Sequence, residues 1–233
     1  MKLRFITAFT ILLTTLQVSA EQSQTLTEVE KLSYSFGYTI GNNFRQQQLE
    51  INAEKLFLGI KDALSASSQP LLSQTEIDKT LEAFKKKMMA KQLEARKMLA
   101  SLNLEQGKAF LAQNATKEGV ISLASGLQYK VLKPGTGKIP KKEDNVTTHY
   151  EGTLLNGTVF DSSYKRGEPT SFPVKGVIAG WQEALQLMNE GAEWQLFIPS
   201  HLAYAERGTP TGTIGPNATL IFKIELLSID KKK

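Results

Sequence analysis

Val146-Thr147-Thr148-His149-Tyr150-Glu151-Gly152 runs on through Leu154 and Asn156-Gly157 to Val159-Phe160-Asp161. This stretch decides the fold. Its apolar and β-branched residues alternate with polar ones, which is the period of a half-buried strand. Asn-Gly between two such runs is a hairpin signal, because a type I′ turn needs positive φ at both central residues. The alternation recurs on either side. Gly126-Leu127-Gln128-Tyr129-Lys130-Val131 precedes it, and Trp194 to Ile198 and Leu220 to Leu226 follow it. Between them, Ala179 to Met188 sets Trp181, Leu185 and Met188 on one helical face. One short helix against several antiparallel strands predicts an α+β domain of about 110 residues. It is placed over residues 119–233.

Upstream of Gly119 the period is helical. Val29, Leu32, Phe36, Ile40 and Phe44 recur at three- and four-residue steps. Gly37 and Gly41 lie one turn apart, and glycine costs about 1 kcal/mol in a helix interior. Two of them point to close packing against another helix. Asn52 is the expected N-cap of a second short helix through Leu56, Phe57, Ile60 and Leu64. Ser73 and Glu76 form a capping box that opens a third. That helix can run to about Gln113, roughly 60 Å at 1.5 Å per residue. Its apolar stripe thins after Lys91, so its middle reads as a rod in solvent, with Gly107 a weak point. The expected organisation is 1–20 export segment, 21–72 helical dimerisation domain, 73–118 long connecting helix and linker, and 119–233 the α+β domain. Two short helices seldom bury enough surface to fold alone. A second copy would cover their apolar faces, so a homodimer through residues 21–70 is expected.

Composition narrows the chemistry. Cysteine is absent and the histidines are two, His149 and His201. No disulfide framework, thiol nucleophile or Cys-ligated metal is possible, and a His-rich metal site is not expected. The formal charge of +5 is spread along the chain with both signs mixed. No basic cluster with interleaved aromatics exists, so nucleic acid is not an expected partner. The closing Lys231, Lys232 and Lys233 read as a solvated tail. At the start, Lys2 and Arg4 form a positive n-region, Phe5 to Leu16 is apolar, and Val18-Ser19-Ala20 fits small-x-small cleavage before Glu21. The apolar run is shorter than the roughly 20 residues of a spanning helix. An exported chain is expected.

The C-terminal blocks resemble the FKBP-type peptidyl-prolyl cis/trans isomerases. They are Val146 to Gly152, Gly157-Thr158-Val159-Phe160-Asp161-Ser162-Ser163, Val177-Ile178-Ala179-Gly180-Trp181, Ala203-Tyr204 and Ala218-Thr219-Leu220-Ile221-Phe222. Each block is weak alone; in family order over Gly126 to Ile229 they are strong. Lys31-Leu32-Ser33-Tyr34-Ser35-Phe36-Gly37 resembles the opening of the dimerisation helix in the Mip-like and FkpA-like branch of Gram-negative bacteria. The resemblance covers essentially all of residues 21–233. It implies a helical dimerisation region, a long helix and a C-terminal FKBP domain. It implies X–Pro isomerisation in the periplasm or at the outer membrane, with chaperone activity and a role in virulence. It also implies proline-containing polypeptides as substrates, macrolides of the FK506/rapamycin type as inhibitors, and no cofactor or metal. The competing reading is a dimeric chaperone or host-surface binding protein without turnover.

Rotation about X–Pro must break amide resonance, a barrier of about 18–20 kcal/mol. No bond to carbon is made or broken, so neither nucleophile nor metal is required. A dry apolar pocket that binds the twisted amide better than either planar form suffices. By resemblance, Trp181 is the floor under the proline ring, and Tyr150, Phe160, Val177, Ile178 and Phe222 are walls. Ile178 offers its backbone N–H, and Tyr204 its hydroxyl, to substrate carbonyls. Asp161 is the polar group at the rim, with Arg166 as its partner. The chain departs from the family pattern at Thr170, where a bulky aromatic is common, and at Ala203-Tyr204-Ala205, where glycine usually follows the tyrosine. The first opens a pocket edge; the second removes positive-φ freedom. The N-x-T triplets at Asn114, Asn145, Asn156 and Asn217 read as chance in a bacterial chain.

Overall fold

The computed structural model describes residues 26–65 and 69–230. The expected export segment and the closing lysines lie outside the described residues. The chain divides between Ile77 and Asp78 into two compact units.

In the first unit, α1 spans Glu28–Gln46 and α2 spans Ala53–Leu64. Thr27 caps α1 through a reciprocal box with Glu30, and the Asn52 side chain accepts from Lys55 N at the start of α2. Neither helix buries a single residue. Phe36 is 62% exposed and Phe57 is 68% exposed. Among the described residues, nothing outside the helix's own backbone comes within 4 Å of a Cβ placed on Gly37 or Gly41. The close packing expected there finds no occupant among the described residues of this chain.

Helix α3, Gln74–Asn114, opens on the Ser73–Glu76 capping box and crosses into the second unit. There follow β1 (Val120–Ser122), β2 (Gln128–Lys133), β3 (Asn145–Leu154), β4 (Val159–Ser162), α4 (Ser163–Arg166), β5 (Thr170–Pro173), α5 (Ala179–Leu185), β6 (Glu193–Ile198) and β7 (Leu220–Asp230). All pairings are antiparallel. The strand order is β1-β2-β6-β7-β3-β4, with β5 beside β3. The pleat explains the core. Trp194, Leu196 and Ile198 point to one face and pack with Leu185, Met188, Leu220, Ile224 and Leu226, all nearly or fully buried.

The β3–β4 hairpin forms where Asn156-Gly157 announced it, but its turn is not type I′. Only Gly157 has positive φ, at 83°, and Asn156 does not. Gly157 N donates to Leu154 O, and the ladder register shifts between Gly152 and Thr153. An extra residue in the loop is accommodated by a bulge with one left-handed glycine.

The C-terminal half of α3 is not a free rod. Phe197 alternates to the sheet face opposite the core, yet is 6% exposed. Phe110 covers it, ring centroids 5.9 Å apart. Gln128 of β2 accepts from Asn114 Nδ2 at 3.0 Å and donates to Leu111 O at 2.9 Å, so the helix end is capped by the sheet. Ala100, Gly107 and Asn114 are the buried residues of α3. A Cβ on Gly107 would stand 2.2 Å from Thr219 Oγ1. Gly107 is therefore a point of close approach rather than a weak point.

Candidate active site

The site is built on β3, β4, α5 and β7. Tyr150 on β3 pairs with Ile224, and Gly152 pairs with Phe222. A side chain on Gly152 would meet Phe160 Cζ at 2.5 Å and Phe222 Cε1 at 2.7 Å. Glycine there lets two rings close over the strand. Phe160 and Phe222 meet edge to face at 5.4 Å and 85°. The Trp181 indole, 3% exposed on α5, meets Tyr150 at 5.2 Å and 86° and Phe222 at 5.2 Å and 79°. Edge-to-face pairs add about 0.5–1.5 kcal/mol each beyond area burial. The result is an apolar box with a fixed floor. The Trp181 Nε1 is buried without an acceptor among the described residues. Val177 and Ile178 pack, partly buried, against the same cluster. Ile178 is the residue before α5, and among the described residues its N–H has no protein acceptor.

At the edge of the box lies a charged triad. The Tyr150 hydroxyl donates to Asp161 Oδ2 at 2.7 Å. Arg166 Nη1 pairs with Asp161 Oδ1, and Arg166 Nη2 donates to Tyr150 Oη at 2.9 Å and to Thr170 Oγ1 at 3.1 Å. Thr170 is thus an anchor for the guanidinium. Burial pushes the Asp161 carboxyl up, but the hydrogen bonds from Tyr150 and Arg166 and the arginine charge outweigh it, and the group sits below the usual aspartate range. Burial, then the bond to Asp161, pushes the Tyr150 hydroxyl up. At neutral pH the triad holds one fixed carboxylate and one fixed guanidinium beside a neutral phenol.

The backbone beneath is pinned by a residue the sequence reading did not single out. Ser163 Oγ, fully buried, accepts from Tyr150 N at 2.8 Å and donates to Tyr150 O at 3.2 Å. Ser162 caps α4 by accepting from Lys165 N, which leaves Asp161 free for the box. Phe172, also not anticipated, backs Tyr150 and Trp181 at 5.8 Å each. Its signal was the strand alternation Thr170-Ser171-Phe172. His149 is hydrogen-bonded with Ser163 Oγ and stacks on Tyr164; His201 bonds Ser125 O. Neither reaches the box.

Tyr204 stands apart from this set: no hydrogen bond or ring contact joins it to the box. It is 38% exposed, and among the described residues its hydroxyl has no partner. Ala205, where glycine was missed, has φ of 47°. The left-handed turn is kept at a cost of roughly 1–2 kcal/mol for a residue with a Cβ. Asn217 N, donating to Ala205 O at 2.8 Å, holds it.

The chain is similar to known proteins over nearly all of its length. Residues 137–227 match the model of the "FKBP-type peptidyl-prolyl cis-trans isomerase" family, and residues 29–131 match "Domain amino terminal to FKBP-type peptidyl-prolyl isomerase". The peptidyl-prolyl cis-trans isomerase Mip of Coxiella burnetii is 47% identical over 206 residues, 88% of this chain and 89% of the relative. The outer membrane protein MIP of Legionella longbeachae is 43% identical over 233 residues, 99% of each. The crystal structure of FkpA from Escherichia coli superposes with a TM-score of 0.72 at 36% identity, covering 88% of this chain and 97% of that one.

Proposed function

The chain belongs to the FKBP-type peptidyl-prolyl cis-trans isomerases, and from that premise we propose that it turns X–Pro bonds of exported polypeptides as a homodimer. The observation that carries the catalytic reading is the apolar box closed by Trp181 and edged by the Tyr150–Asp161–Arg166 triad. The proline ring rests on Trp181 between Phe160, Val177, Ile178 and Phe222. Planar amide resonance places negative charge on the carbonyl oxygen. Twisting withdraws it. A dry site disfavours the more polar planar form, and the fixed Asp161 carboxylate near that carbonyl repels the planar oxygen more than the twisted one. Both act on the difference between states, which is what lowers a barrier. Ile178 N–H and the Tyr204 hydroxyl, both without protein partners among the described residues, hold the flanking carbonyls. No proton moves.

The homodimer reading rests on α1 and α2, which carry Phe36, Ile40, Leu56 and Phe57 and bury nothing. A second copy packed across Gly37 and Gly41 supplies the missing neighbour. Two pockets in one particle then grip a client at two points, and that raises effective concentration and gives a chaperone function. Export rests on residues 1–20. No helix among the described residues is long and apolar enough to cross a membrane.

Sedimentation tests this. Residues 21–233 should run as a dimer. Gly37→Leu with Gly41→Leu, tolerated by a lone chain with open space at both sites, should run as a monomer. The variant should keep its rate on short proline peptides and lose about ten-fold or more in catalysed refolding of a proline-limited protein. A monomeric parent chain would contradict the dimer, and an equal loss on both substrates would contradict two-point capture.

A further inference from the structure

The loop that carries Tyr204 is fastened at both feet to α3. Arg96 Nη2 donates to Glu206 O at 3.2 Å and to Arg207 O at 2.7 Å, just after the tyrosine. At the far foot Asn103 Nδ2 donates to Pro216 O at 2.7 Å, and Asn217 Nδ2 donates to Ala100 O at 3.3 Å. Inside the loop, Gly208 N donates to Tyr204 O at 3.2 Å and Asn217 N to Ala205 O. Ile214, 4% exposed, turns into the core, and its N–H bonds Thr209 Oγ1 at 2.9 Å. On the near side Ala203 N donates to Ser200 O at 3.0 Å; from Tyr204 onward the backbone anchors lead to the loop itself or to α3. The tyrosine is adjacent to a strained left-handed alanine, a conformation that persists only where its surroundings hold it.

We propose that Arg96 and Asn103 are positioning residues of the isomerase, which set where the Tyr204 hydroxyl meets substrate. The inference rests on the reading that Tyr204 bonds a substrate carbonyl. Arg96 Nη2 donates to two successive carbonyls from a planar guanidinium, which fixes the direction of the chain as well as its distance. Asn103 fixes the returning end of the loop at Pro216. The C-terminal half of α3, outside the resemblance blocks, is then part of the catalytic machinery. A hydroxyl misplaced by about 1 Å loses most of its transition-state contact.

The test uses the full chain and a proline-containing chromogenic peptide. Tyr204→Phe is measured first and should lower kcat/KM. Arg96→Ala with Asn103→Ala should lower it roughly three- to ten-fold, chiefly in kcat, at unchanged fold by circular dichroism. Arg96→Lys, which keeps a donor, should recover part of the loss. In the Tyr204→Phe background the two alanines should cost nothing further, because the group they position is gone. Unchanged turnover in the alanine variant overturns the proposal. So does an equal loss with and without the Tyr204 hydroxyl, which would mean that the helix acts by another route. A Tyr204→Phe variant with full activity would instead overturn the role of Tyr204 itself.

Discussion

Asp161→Leu will lower kcat/KM on proline peptides by about ten- to one-hundred-fold, the scale of the roughly 1.5–3 kcal/mol carried by a hydrogen bond to a charged group. Leucine conserves the apolar volume at the box edge but removes the acceptor of both Tyr150 and Arg166. The Asp161 and Arg166 side chains are 42% and 43% exposed, so the pair contributes little to stability, on the order of 0–1 kcal/mol. Activity and folding should therefore separate: near-normal circular dichroism and melting temperature, with a large kinetic loss. Measuring both on the same preparation checks it. A melting temperature that falls in step with the rate would mean that the triad is structural.

The second large effect concerns where the catalytic body begins. A chain cut to 119–233 keeps every residue of the box but loses Phe110, which covers Phe197, and the anchors at Arg96, Asn103 and Asn114. One uncovered phenylalanine costs about 1.5–3 kcal/mol, and each lost amide bond adds about 1 kcal/mol less what water restores. A loss of about 2–4 kcal/mol lowers the melting temperature of a domain this size by roughly 10–20 °C. The fragment 78–233 should melt at the higher temperature and 119–233 at the lower one, by calorimetry. Equal melting temperatures would show that the docked half of α3 adds nothing.

The two halves of the molecule were legible to different degrees. Strands β3, β6 and β7 declared themselves because one buried face imposes a period of two, α1 because its apolar residues recur from Val29 to Phe44, and the next two helices because their caps at Asn52 and Ser73 are local chemistry. Trp181, Phe160 and Phe222 were legible as an ordered set of blocks, and they meet in one box. The docking of α3 was not legible. It is made by Ala100, Gly107, Asn103 and Asn114, small residues and amides that leave no apolar stripe, and hydrophobic periodicity cannot register a hydrogen bond to a distant carbonyl. Ser163 was hidden for the same reason, since its hydroxyl binds the backbone of a residue on another strand. The hairpin turn was misread because Asn-Gly is compatible with two turn geometries, and the bulge in the β3–β4 ladder chose between them.

In the proposed reaction this site twists an amide by field and desolvation, without moving a proton. Asp161 has a depressed pKa, so its ionised form is lost only as pH falls through that folded value, below the usual aspartate value of about 3.9. The stability it contributes is present above the unfolded value and fades on the acid side alone. The most direct measurement is the X–Pro isomerisation rate with the full chain between about pH 5.5 and 8, in H₂O and in D₂O. The acceleration should be flat across the window, with a solvent isotope ratio of about 1. A bell-shaped profile, or a D₂O rate slowed about two-fold or more, would contradict it.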